Sequence, residues 1–84
     1  MRVALQSTLL EWVDYQHQAG RLEVQFHTGE RYRYFAVPLS CYQQLLQADS
    51  KGAFFNHHIR NCFPYQHLSR PAAHVVLPAP HKTK

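Results

Sequence analysis

Arg31-Tyr32-Arg33-Tyr34-Phe35-Ala36-Val37-Pro38 alternates basic and aromatic residues, then stops at a proline. The chain before it reads as β-structure and the chain after it as helix. Side chains on a strand alternate faces, so Tyr32 and Tyr34 share one face and Arg31 and Arg33 the other. Working backward, Arg21 to His27 also alternates, with Leu22, Val24 and Phe26 apolar. The link between the two runs is His27-Thr28-Gly29-Glu30. A two-residue type I′ turn would put β-branched Thr28 at positive φ, which is unfavourable. A type I turn with Gly29 left-handed in a G1 bulge fits better. That register pairs Phe26 with Glu30, Val24 with Tyr32 and Leu22 with Tyr34. The tyrosines then lie on the apolar face, and Glu23, Gln25, His27, Arg31, Arg33 and Phe35 on the opposite one.

Outward from this hairpin, Thr8 to His17 reads as a preceding strand with Val13 and Tyr15 in step. Leu10 and Trp12 are out of step with them, which predicts a bulge. Gly20 turns that strand into the next. Residues 1–6 are expected to fray. On the other side, Pro38 suits a helix start, and Leu39, Tyr42, Leu45 and Leu46 recur at helical spacing. Ser50 is a good N-cap for a second helix, whose apolar stripe is Phe54, Phe55, His58, Ile59 and Cys62 and which Pro64 ends. The fold class is therefore α+β: a three-stranded antiparallel β-meander followed by two helices packed on one face, βββαα. Residues 7–65 form this single domain. Residues 66–84 read as a basic, Pro- and His-containing, mostly disordered tail, with Val75-Val76-Leu77 as a short docking segment or added strand.

The chain has 84 residues, enough for one small core. Net charge is +4 with histidine neutral, unevenly placed. Residues 1–50 hold four Lys/Arg against five Asp/Glu, whereas residues 51–84 hold five Lys/Arg and no acid. A basic half suggests an anionic partner, or simply a solubilising tail. The seven histidines would strengthen anion binding on acidification. Cys41 and Cys62 read as buried free thiols, and a reducing cytoplasm is the expected compartment, with no run long enough to span a membrane.

Several features together resemble the KTSC family: Ser7, Val13 and Tyr15; Leu22-x-Val24-x-Phe26-x-x-Gly29; Tyr32-x-Tyr34-x-x-Val37-Pro38; Tyr42 and Leu45-Leu46-x-Ala48; Ser50-Lys51-Gly52; and Phe55-Asn56-x-x-Ile59-Arg60. This short domain is found at the C-terminus of some lysyl-tRNA synthetases and as stand-alone bacterial and phage proteins. The resemblance covers about residues 7–65 and, through the synthetase attachment, implies an RNA-binding module. The longer basic tail departs from the family pattern.

The candidate nucleic-acid-binding residues are Arg31, Arg33, Ser50, Lys51, Gly52, Asn56 and Arg60. At Ser50-Lys51-Gly52, free backbone N–H groups, a helix dipole, a hydroxyl and a lysine converge, which is anion-binding chemistry; an ordinary N-cap beside a solvated lysine is the plainer alternative. Asn56 and Arg60 share a helix face and would extend a phosphate track. Trp12 or Phe35, if exposed, would supply base stacking. The expected partner is RNA, tRNA included, bound by a monomer with low sequence specificity. A protein-docking accessory domain is the alternative. Neither cofactor nor metal is expected: His58 and Cys62 fall on the apolar stripe and lack paired zinc-ligand spacing. No acid pair or nucleophile constellation suggests catalysis, so a non-enzymatic module is expected.

Overall fold

The computed structural model describes residues 1–68 and the backbone of 75–76. Its sheet runs in chain order: β1 (Arg2–Ala4), β2 (Leu10–Gln16), β3 (Arg21–Phe26), β4 (Arg31–Tyr34) and β5 (Tyr65–His67). Every neighbouring pair is antiparallel, and a two-residue pairing, β6 (Val75–Val76), extends the β5 edge. Two helices, α1 (Leu39–Gln47) and α2 (Lys51–His58), intervene between β4 and β5. The class is α+β, with a sheet wider than the three-stranded meander.

The β3–β4 hairpin has the register set by its turn chemistry. Leu22 faces Tyr34 and Val24 faces Tyr32. The Gly29 N–H donates to the Phe26 carbonyl and the Phe26 N–H to the Glu30 carbonyl, both at 2.9 Å, with Gly29 at φ +94°. The expected bulge lies between Leu10 and Trp12, opposite Phe26 and Gln25. Its extra residue, Glu11, puts Leu10 into the core while Trp12 turns to the other face.

Both helices cover the face of Val13, Leu22, Val24, Phe26 and Tyr34, adding Leu45, Phe55 and Ile59 to one buried cluster. Phe55 meets Phe26 and Tyr34 edge-on, each at 5.5 Å. Tyr15 stacks on Tyr42 at 4.5 Å, and its hydroxyl donates to the Val37 carbonyl at 2.6 Å. Pro38 stands at the N-cap of α1, where its carbonyl accepts from the Cys41 and Tyr42 N–H groups. Ser50 caps α2, its Oγ accepting from the Ala53 N–H at 3.2 Å.

Four expectations change. Residues 2–4, expected to fray, pair with β2 through Arg2–Asp14, Val3–Val13 and Ala4–Trp12. Tyr65–His67, assigned mostly to the tail, pairs with β4, because the β4 edge offers unpaired backbone groups that an extended segment after Pro64 satisfies. The expected docking segment appears as the Val75–Val76 pairing, and the rest of the expected disordered tail, from residue 69, lies outside the described residues. The second helix stops at His58 rather than near Pro64. Beyond it Asn61 adopts φ +65°, a left-handed helix ending, so Cys62 is exposed rather than buried; Cys41 is half-buried.

Candidate nucleic-acid interface

Cross-strand partners share a face, so the register places Arg31 and Arg33 opposite the helices. One row there runs Ala4, Trp12, Gln25, Arg31 and the next Arg2, Asp14, Glu23, Arg33, Gln66. Charges on this face meet one another. Arg33 donates from Nε and Nη2 to one oxygen of Glu23. Arg31 donates from Nε and Nη2 to Gln25 Oε1, and Gln25 in turn donates to Glu11. The N-terminal ammonium reaches Asp14 at 2.9 Å. Trp12 lies between two guanidinium groups, Arg2 at 4.1 Å and Arg31 at 5.0 Å from its ring centre. At 9 % exposure it offers no stacking surface. Phe35 is half-buried past the end of β4, its N–H bonded to the Pro64 carbonyl.

The remaining candidates gather on the other side of the sheet, Ser50 to Asn56 at the start and middle of α2 and Arg60 in the turn after its end rather than on the helix itself. Lys51 is half-buried, and its Nζ donates to the Ala48 carbonyl at 3.1 Å. Arg60 donates to Asn56 Oδ1 at 3.0 Å, and its guanidinium carbon stands 5.6 Å from the Phe26 ring centre. Among the described residues neither Lys51 nor Arg60 has a carboxylate partner. Burial pushes the Tyr34 hydroxyl well above its usual pKa, and the Arg60 charge pulls against that rise. The seven candidates therefore form two groups on opposite faces, not one continuous surface.

A cavity of about 480 Å³ opens at the N-terminus of α2, with Ser7, Asp49, Ser50, Lys51 and Asn56 in its walls. Close approach at Gly52 is made by the β1–β2 loop. A Cβ there would stand 3.3 Å from Leu9 Cβ and 3.7 Å from Ser7 Oγ. Ser7 Oγ accepts from the Leu9 and Leu10 N–H groups, and the Ser7 carbonyl accepts from His27 Nε2 at 2.8 Å. Ser7 thus ties the β3–β4 turn to the loop on which α2 rests.

A family model described as the KTSC domain matches residues 6–63. This chain belongs to the KTSC family. A KTSC domain protein of known crystal structure, from Yersinia pestis, superposes with a TM-score of 0.78 at 29 % identity, covering 81 % of this chain and 96 % of that one. An uncharacterized protein of Stutzerimonas stutzeri is 51 % identical over 55 residues, 66 % of this chain and 78 % of that protein. A lysine–tRNA ligase of Trichormus variabilis is 38 % identical over 55 residues, 66 % of this chain but 10 % of the ligase. One from Nostoc punctiforme is 33 % identical over 64 residues, 76 % of this chain and 11 % of the ligase. This KTSC domain thus spans about a tenth of the ligases it matches.

The matched span of the KTSC domain holds the β2–β3–β4 meander and both helices, while β1 and β5 fall outside it. Those outer strands supply residues absent from the sequence-derived candidates. Arg2 from β1 covers Trp12. Tyr65 and His67 from β5 add their rings beside Tyr32. Tyr65-Gln66-His67 is too short a run for a periodic pattern to have revealed the second pair. The residues considered for a metal go elsewhere: His58 packs on Phe54 at 4.5 Å, and Cys62 Sγ points to the His57 carbonyl at 3.8 Å. No helix among the described residues is long and apolar enough to cross a membrane.

Proposed function

We propose that this KTSC domain is a non-enzymatic RNA-binding module that holds phosphates along α2 and the turn after it, through Lys51, Asn56 and Arg60. The observation that carries this reading is the partition of charge. Arg33 is engaged by Glu23, and Arg31 by Gln25, which itself donates to the Glu11 carboxylate, whereas among the described residues Lys51 and Arg60 bond only a backbone carbonyl and the Asn56 amide and have no carboxylate partner. Arg31 and Arg33 therefore fall outside the proposed site. The recurrence of related segments in lysine–tRNA ligases makes tRNA the natural probe. Such binding is electrostatic, low in sequence specificity and steeply weakened by salt.

An amide chemical-shift titration with bulk tRNA at low and moderate salt tests this. Shifts over residues 50–60 that fade with salt, with little change at 31–33, are the expected result. A response confined to the helix-free face, or none at low salt, overturns it. A protein-docking accessory domain is the second reading. The helix-free face favours it, because matched charges and a covered tryptophan suit a polypeptide surface better than a phosphate backbone.

A further inference from the structure

Both cysteines of the chain lie at one end of the helix pair. Cys41 is in the first turn of α1, and Cys62 is in the turn after α2. Residues 48–50 alone link α1 to α2, and the helices touch. So short a link turns the second helix back along the first, which sets the start of α1 beside the end of α2. Backbone and core contacts hold that end together. The Phe35 N–H, before α1, donates to the Pro64 carbonyl, after α2, at 2.9 Å. Cys41 packs against the buried cluster that includes Ile59, and the Cys62 N–H donates to the Ile59 carbonyl at 3.0 Å. Burial raises the Cys41 thiol above its usual 9.0, and the Cys62 sulfur raises it further, as a like charge close by does. Exposure divides the pair: Cys62 is open to solvent and Cys41 half-buried.

We propose that Cys41 and Cys62 are a redox pair that closes into a reversible disulfide, fastening the turn after α2 to α1. Their roles follow from access. Hydrogen peroxide reaches exposed Cys62 first. The Cys62 thiolate takes one peroxide oxygen and becomes a sulfenic acid, and the thiol proton leaves with the other oxygen as water. The Cys41 sulfur then attacks the Cys62 sulfur. The S–S bond forms, the S–O bond breaks, and the hydroxide departs with the Cys41 proton as a second water. Two thiols and one peroxide thus become one disulfide and two waters, the sulfurs losing the two electrons that the peroxide gains. Cys62 Sγ rests on the His57 carbonyl at 3.8 Å, a weak contact that the bond would replace. Arg60 lies two residues before Cys62, donating to Asn56 and standing over Phe26. Drawing the turn toward α1 takes Arg60 off both. The consequence for RNA, one phosphate contact fewer, rests on the phosphate-binding role of that turn.

The test treats the reduced full chain with dilute hydrogen peroxide and reads intact mass, a peptide map, amide spectra and tRNA binding across salt. The expected product is a monomer lighter by two hydrogen atoms, with Cys41 and Cys62 in one cross-linked peptide, and dithiothreitol reverses it. The Arg60 amide should shift, and the tRNA salt slope should fall by about 0.7–0.9. Cys62→Ser should stay reduced at that dose, and Cys41→Ser should stop at a sulfenic acid that dimedone traps. Where Cys41→Ser fails to fold, Cys41→Ala replaces it. A Cys62 sulfinic acid, or a dimer joined through Cys62 with Cys41 still free, overturns the pair. A disulfide that leaves the Arg60 amide and the salt slope unchanged overturns its hold on the turn, and the phosphate site stands. If the reduced chain binds no tRNA at low salt, the phosphate site falls, while mass and the Arg60 amide still decide the pair.

Discussion

Arg33 clasps Glu23 across β3 and β4, with Nε at 3.0 Å and Nη2 at 2.7 Å from one carboxylate oxygen. The two side chains are 29 % and 19 % exposed, so solvent still screens the pair. An arginine held this way would have to leave its carboxylate, or carry that negative charge with it, to meet a phosphate. Arg33→Gln should leave both RNA affinity and salt slope unchanged, at a stability cost of about 0.2–1 kcal/mol. Lys51→Gln should lower the slope by about 0.9 on duplex RNA, taking the B-DNA value for one phosphate contact. Fluorescence anisotropy across salt, beside urea unfolding, measures both.

Gly29→Ala isolates the turn that sets the register. A Cβ at this position would meet nothing within 4 Å, yet φ is +94°. The cost is therefore one of backbone conformation, about 1–2 kcal/mol, and Gly29→Asn should lose less. Urea midpoints of the two variants give the comparison.

Gly52→Val probes packing where the β1–β2 loop lies between α2 and that same β3–β4 turn. Its side chain would run into Leu9 and Ser7, displacing the β1–β2 loop. A loss of about 1–3 kcal/mol is expected, with amide shifts at Ser7 to Leu10 and at His27. A glycine kept for ligand access alone would leave stability untouched when replaced.

Phe55→Ala removes the ring on which Phe26 and Tyr34 close, at a site with no exposure. The expected loss is about 3–5 kcal/mol. For so small a domain that approaches the whole folding free energy, and circular dichroism at room temperature should show a partly unfolded population.

Alkaline sensitivity follows from four groups shifted in one direction. Burial raises Tyr34, Tyr15 and Tyr42 above the tyrosine value of 10.0, and Cys41 above the thiol value of 9.0. Each is more readily deprotonated when unfolded. The stability each contributes is complete below its unfolded pKa and is lost as pH rises through its folded pKa. The urea midpoint should therefore fall from about pH 9 upward, and Tyr34→Phe should flatten the part of that fall above about pH 10.

Much of the fold is legible in the sequence because local chemistry and burial agree. Thr28-Gly29 selects one turn, that turn sets one register, and the register puts Leu22, Val24 and Tyr34 beneath the helices. Leu10 and Trp12 announce a bulge by breaking step with Val13. The outer strands are harder to read. β1 and β5 have three residues each, too few for a periodic pattern, and their stability comes from the edge they join. Arg31 and Arg33 looked like phosphate ligands because residue type carries no record of a cross-strand partner. Glu23 is ten positions from Arg33 in sequence and opposite it in the sheet. Arg60 reaches the Phe26 ring, 34 positions earlier, only because the chain at the end of α2 lies over the sheet.

Strand order that follows chain order has a consequence for any longer polypeptide carrying this domain. Neighbouring strands lie about 4.8 Å apart, so β1 and β6, the two borders, stand roughly 24 Å from one another. Such a chain enters along one border of the sheet and departs along the other. Inserted between two bodies, the domain would behave as a spacer of fixed width, with α2 and its cations turned to one flank of the line joining them.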